Sequence, residues 1–203
     1  MRKVSVKLPI DCFIVSLVAS EFFIKIKDVD YNGCQSHVGY LEDVLLTNYQ
    51  VLNLDPGDGI GGYGCLHESI IQHEFLHALG FQHEQTRPDR DEHIIIHPEN
   101  IQNEYLFNFQ MMEVKNWYDM DSPYDGQSVM HYGANSFLTS EALSEGLPAM
   151  TSKLTGLPVQ SPRVSRMSSQ DCFQLQKMYE DQCPPLQTRQ CANGEKYLKN
   201  RAW

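Results

Sequence analysis

No stretch of this chain stays apolar for long. The longest mostly apolar segment, Leu8–Ala19, covers about 12 residues and is interrupted by Pro9 and Asp11, whereas a membrane-spanning helix needs about 20. No membrane span is expected. Positive charge is also scarce: 16 Lys and Arg stand against 26 Asp and Glu, a formal net charge of -10. Nothing resembles a basic patch, so nucleic acid is not an expected partner. Cys-x-x-Cys pairs are missing, which argues against a cysteine-held structural zinc. The six cysteines fit disulfides in an oxidising, extracellular compartment instead. They allow about 15 pairings, and counting alone does not choose among them. Internal repeats and low-complexity stretches are absent as well. The 203 residues suffice for one domain with a full core, or a domain and a short tail.

What is present is concentrated in residues 73–84, His-Glu-Phe-Leu-His-Ala-Leu-Gly-Phe-Gln-His-Glu. His73 and His77 are four apart, so a helix stacks them on one face, where both can point at one ion. Catalytic zinc takes three protein ligands and leaves a position for water. Glu74, between the histidines, is placed to act on that water as general base. Gly80 permits a positive φ, a sharp exit from the helix, and so the return of His83 as third ligand. A lone His-Glu-x-x-His arises by chance on helix surfaces. Here Ile71, Phe75, Ala78 and Leu79 form the stripe that would pack on a core, and the histidines lie off it.

Along the chain, Phe22–Ile26 and Tyr49–Leu54 read as strands between turn-rich segments. Residues 55–64 form a glycine-rich loop leading to Cys65 and to the metal helix, from about Leu66 to Leu79. Pro98 to about Val114 is expected to hold one helix, with Ile101, Tyr105, Phe109 and Met112 at helical spacing. A further helix starts at Ser168, whose hydroxyl caps the first turn with Asp171 three residues on; Cys172, Leu175, Met178 and Tyr179 are its buried face. The pair Pro184-Pro185 ends it. The expected class is α+β, divided at Gly80: a twisted mixed sheet with the active-site helix, an irregular half with one long helix, and the metal in a cleft between them.

At the N-terminus, Arg2, Lys3 and Lys7 before Leu8–Ala19 look like a secretory signal with an exit at Val18-Ala19-Ser20. Pro9 and Asp11 weaken that pattern, and cleavage would remove Cys12. Residues 1–20 are therefore expected to belong to the mature fold, although they are signal-like.

These motifs resemble the astacin family of zinc metalloendopeptidases, within the metzincins, whose fold is zincin-like. His73-Glu-x-x-His-x-x-Gly-x-x-His83 is the metzincin pattern, and Glu84, Arg87, Asp89, Arg90 and Asp91 resemble its astacin form. Ser128-Val129-Met130-His131-Tyr132 matches the family's methionine turn. The resemblance implies Met130 as a hydrophobic floor below one zinc ion, and Tyr132 as both a further zinc ligand and an oxyanion donor. It implies bridges Cys12–Cys183 and Cys34–Cys65, leaving Cys172 and Cys191 as a guessed pair. It implies a secreted peptidase domain over residues 1–183, with a tail at 184–203. Eleven residues precede Cys12, where the family has a further strand and a long helix, so the domain is expected to be N-terminally shortened. In the family the counterpart of Glu84 meets the new amino terminus of the activated enzyme.

The expected activity is cleavage of extended polypeptides by a monomer, the substrate pairing along the edge of Tyr49–Leu54. A zinc-loaded but catalytically silent polypeptide-binding domain is the alternative. A closed structural zinc site would need a fourth fixed ligand. Among the other histidines, His93 and His97 flank Ile94-Ile95-Ile96 and read as strand residues rather than ligands. His37 and His67 are expected to be structural or exposed, and His131 to hydrogen-bond locally. Arg87, Asp89, Arg90 and Asp91 form either a locking charge network or a solvated loop.

Overall fold

The computed structural model describes residues 23–27, 33–40, 49–57, 64–117, 120–160 and 166–180. Residues 1–20 and the tail at 184–203, and with them Cys12, Cys183 and Cys191, lie outside the described residues. The fold is α+β, with two compact units. One comprises the described residues up to Gln82 together with those from 166 onward, the other those from His83 to 160.

The first unit is built on a three-stranded mixed sheet. Strand β1 (Phe23–Lys27) pairs in parallel with β3 (Tyr49–Leu54), Phe23 opposite Tyr49 and Lys27 opposite Asn53. Strand β2 (Cys34–Ser36) pairs antiparallel on the other side of β3, Cys34 opposite Leu54. The order β1-β3-β2 makes β3 the central strand. This corrects the expectation that Tyr49–Leu54 offers an edge to substrate: its backbone is engaged on both sides, by β1 along 49–53 and by β2 along 52–54. Such enclosure accounts for its apolar inner residues. Leu52 and Leu54 are buried with Cys65 and Ile71, and Ile24, Ile70 and Phe75 close the cluster. A disulfide joins Cys34 to Cys65, tying β2 to the segment that enters the following helix. Gly64 is obligatory in that approach, since a Cβ there would collide with the Pro56 carbonyl oxygen.

Helix α1 spans Glu68–Ala78, with Glu68 favourably placed in its first turn. Its burial is broader than a single stripe. Ile71, Leu76 and Leu79 are buried, but so are Gln72, Glu74 and His77, while Phe75 and Ala78 are only half-buried. The last helix also belongs to this unit, although it comes from the far end of the chain. The Met167 N–H donates to Gln72 Oε1 (2.8 Å), and the Tyr179 hydroxyl donates to the Leu79 carbonyl (2.9 Å). Both bonds tie it to α1. Its start carries the expected capping box: the Ser168 hydroxyl accepts from the Asp171 N–H, and the Asp171 carboxylate accepts from the Ser168 N–H.

In the second unit, β4 (Ile94–Ile96) pairs antiparallel with β5 (Met150–Ser152). Helix α2 (Ser140–Glu145) lies between them in sequence, capped by Thr139 and ended at Gly146. The helix at the end of the first unit, Ser169–Met178, is accordingly α3. Ile94, Ile101, Phe109, Leu138, Ala149 and Met150 form the core of the second unit. The single helix expected over 98–114 is replaced by short 3-10 turns at Pro98–Asn100, Asn103–Phe109 and Val114–Asn116. The reason is long-range pairing. Ile101 is extended in a bridge to Leu138, the Gln102 N–H donates to the Phe137 carbonyl (3.0 Å), and the Asn100 carbonyl accepts from the Thr139 N–H (2.9 Å). Backbone groups spent there are lost to a helical ladder. Among the described residues, no helix is long and apolar enough to cross a membrane.

Candidate metal centre

Helix α1 presents His73 and His77 one turn apart, their rings 4.6 Å from centroid to centroid and nearly perpendicular. The helix then stops in a Schellman motif. The Gly80 N–H donates to the His77 carbonyl (2.8 Å) and the Phe81 N–H to the Leu76 carbonyl (3.0 Å). Gly80 has φ +99°, outside what L side chains readily adopt. Phe81 and Leu76, the apolar pair that usually accompanies this motif, are both buried. The turn also orients His77. The Phe81 carbonyl lies 2.8 Å from His77 Nδ1. A carbonyl only accepts, so Nδ1 carries the proton and Nε2 is left with its lone pair for a metal. Burial, with the neighbouring His73 second, pushes His77 down to about 4 and keeps the ring neutral.

Two residues beyond Phe81 the chain reaches His83, in extended conformation at the entry to a 3-10 turn at Glu84–Thr86. Thr86 holds the His83 carbonyl twice, by its N–H (3.0 Å) and its hydroxyl (2.7 Å). One ligand atom from each of His73, His77 and His83 lies within 4.8 Å of the others. Nitrogens around zinc at about 2.0–2.1 Å stand about 3.4 Å apart, so side-chain adjustment closes the set. Three imidazoles form a zinc donor set that keeps one position open. Glu74 supplies a second, independent sign of fit. Its carboxylate is buried, and Oε2 has no hydrogen-bond partner. Burial pushes its pKa up to about 7. An orphaned buried carboxylate oxygen needs a polar partner to be stable, and an ion with its water supplies one.

The turn at residues 128–132 is packed in the second unit. Met130 is buried, its N–H donating to Ser128 Oγ (2.9 Å) and its carbonyl accepting from the Glu84 N–H (3.1 Å). The Tyr132 ring lies 4.4 Å from that of His83, tilted by 54°. Both nitrogens of His131 are engaged, Nδ1 with the Tyr132 carbonyl (2.6 Å) and Nε2 with the Tyr124 hydroxyl (2.6 Å). Burial lowers its pKa. It is not available as a metal ligand.

Of the two expectations for the loop after His83, the charge network is present around Arg87. That guanidinium is buried and grips Asp89 through both carboxylate oxygens (2.8 Å each). It also donates to Glu84 Oε1 (3.2 Å) and to the carbonyls of Ser122 and Pro123. Trp117 and Tyr124 flank it. Glu84 Oε1 additionally accepts from the Asp125 N–H (2.7 Å). Arg90 donates to the Gln85 and Phe109 carbonyls and pairs with Asp91 Oδ1 (3.0 Å), a carboxylate on the exposed rim of the network. His93 stacks on Tyr124, and His97 bonds Thr151. Sequence reasoning missed the Phe81 carbonyl, Thr86, Gln85 and Tyr124. Only Phe81 had a local signal, an apolar residue directly after the helix-ending glycine.

The family model described as Astacin, a peptidase family, matches residues 19–180. The chain is 36% identical over 153 residues to the low choriolytic enzyme of Oryzias latipes, covering 73% of this chain and 47% of that protein. It is 39% identical over 149 residues to meprin A subunit alpha of Rattus norvegicus, covering 73% of this chain and 18% of that one. The chain thus spans about half the length of the first relative and under a fifth of the second. A solved structure of high choriolytic enzyme 1, a hatching enzyme zinc-protease from Oryzias latipes, superposes with a TM-score of 0.65 at 32% identity. The superposition covers 81% of this chain and 71% of that one. With the three imidazoles, the buried glutamate and the turn at Met130 all inside the matched span, the chain belongs to the astacin family.

Proposed function

We propose that the chain is a secreted zinc-dependent endopeptidase that hydrolyses peptide bonds in extended polypeptides. The observation that carries this is the convergence of His73, His77 and His83 beside a buried carboxylate, Glu74, with one oxygen unpartnered. Bound by the three imidazoles, zinc supplies Lewis acidity, polarising a carbonyl and acidifying water. Glu74 Oε2 takes a proton from the attacking water and returns it to the leaving amine. The Tyr132 phenol, beside His83, serves as a further ligand and as a hydrogen-bond donor to the developing oxyanion. Met130 provides an apolar floor. The Cys34–Cys65 bridge supports an oxidising, extracellular setting.

The test is cleavage of an internally quenched peptide before and after chelation. Cleavage that stops on chelation and returns with one equivalent of zinc supports the proposal. Zinc-dependent peptide binding without cleavage would replace it with a silent binding domain.

A further inference from the structure

Tyr132 has both of its main-chain polar groups held by side chains rather than by a strand or helix. Its N–H donates to Gln85 Oε1 (3.2 Å). Its carbonyl accepts from His131 Nδ1 (2.6 Å). Since the carbonyl cannot donate, Nδ1 bears the proton, so Nε2 of the neutral ring is an acceptor and the Tyr124 hydroxyl donates to it. The tautomer is thereby set by the Tyr132 carbonyl, and the Tyr124 hydroxyl holds the ring at its other nitrogen. That phenol is in turn immobilised, stacked on His93 (4.5 Å, 10° between planes) and flanked by the Arg87 guanidinium. Gln85 is fully buried, and its own carbonyl accepts from Arg90. Residues 84 and 85 therefore grip the 130–132 turn from one side, through the Met130 carbonyl and the Tyr132 N–H. The Tyr124–His131 pair holds it at the Tyr132 carbonyl.

We propose that Gln85 and the Tyr124–His131 pair are positioning residues for Tyr132, clamping its peptide groups so that its phenol leaves the chain in one fixed direction beside His83. None of the three needs to touch substrate. A buried amide and a buried neutral imidazole are rigid, directional partners, and a chain of such bonds with every member satisfied holds one geometry. The inference rests on the proposed role of Tyr132 as ligand and donor.

Tyr124→Phe is the mildest probe, because it removes one hydroxyl and keeps the stack on His93. His131→Leu and Gln85→Leu each remove one clamp, and His131→Asn restores a donor near the place of Nδ1. Displacing a catalytic group by about 1 Å can lower turnover on the order of a hundredfold. We expect Tyr124→Phe to lower kcat about tenfold or more at unchanged KM. The same change made in a Tyr132→Phe background should alter the remaining rate by less than about twofold, since groups acting through one residue are not additive. A second readout is independent of turnover: with Cu2+ in place of zinc, a coordinated phenolate gives a visible charge-transfer absorption. Support requires that band in the parent, its loss in Tyr132→Phe, its weakening or shift in Tyr124→Phe and His131→Leu, and its recovery in His131→Asn. An unchanged band in folded Tyr124→Phe and His131→Leu, or equal rate losses with and without the Tyr132 phenol, overturns the positioning role while leaving the ligand role intact. No band in the parent removes the ligand role, and this inference with it.

Discussion

Replacing Gly80 with alanine probes the connection between helix ending and metal affinity. Gly80 sits at φ +99°, and the nearest atom to a Cβ built there is Met178 Sδ at 3.8 Å, an ordinary contact. The change therefore adds no clash and little packing, and its cost is backbone strain of about 1–2 kcal/mol. The chain can escape that strain by unwinding the Schellman turn. Doing so gives up the Gly80–His77 and Phe81–Leu76 hydrogen bonds, each worth about 0.5–1.5 kcal/mol net. Both routes cost a similar amount, so Tm should fall by roughly 2–8 °C for a protein of this size. Unwinding also withdraws the Phe81 carbonyl from His77 Nδ1, and losing such an orienting partner typically weakens metal binding about 10- to 100-fold. Differential scanning fluorimetry and zinc competition titrations measure the two effects separately. Gly80→Asn should lose less of both, because asparagine tolerates positive φ better. A Gly80→Ala protein matching the parent in both Tm and zinc affinity would refute the role given to this turn.

Other perturbations follow from the same contacts. Arg87→Met leaves the buried Glu84 without its guanidinium and should destabilise the protein by about 3–5 kcal/mol in urea unfolding; a loss under about 1 kcal/mol would show that the network is incidental. Burial raises the Asp89 carboxyl, but the Arg87 guanidinium more than offsets it, so its folded pKa is depressed. Its contribution is then complete above the ordinary carboxylate range and lost as pH falls through the folded value. Arg87→Met should accordingly flatten the acid side of the stability–pH curve. Replacing Cys34 and Cys65 by serine opens a loop with a sequence separation of 31 and should cost roughly 3–4 kcal/mol, seen as a lower urea midpoint; an unchanged midpoint would contradict it.

Much of the site was legible because its determinants are local. The i, i+4 spacing of His73 and His77, the glycine that ends their helix and the Ser168–Asp171 capping box are each written within a few residues. The bounds of Tyr49–Leu54 were readable for the same reason. Its place in the sheet was not, because strand order depends on partners elsewhere in the chain, and the apparent substrate edge proved to be a central strand. The helix expected over 98–114 failed likewise: periodicity proposed it, but residues 100–102 bond to 137–139 instead. Gln85 and Tyr124 carry no local signature. They acquire meaning only when residues 84–85 meet the 130–132 turn.

Glu74→Gln, measured for zinc content and peptide cleavage in the same preparation, separates metal binding from proton transfer. One zinc per chain is expected, as in the parent, with turnover reduced by about 10²- to 10⁴-fold. Cleavage at the parent rate by the zinc-loaded variant would contradict proton transfer by Glu74.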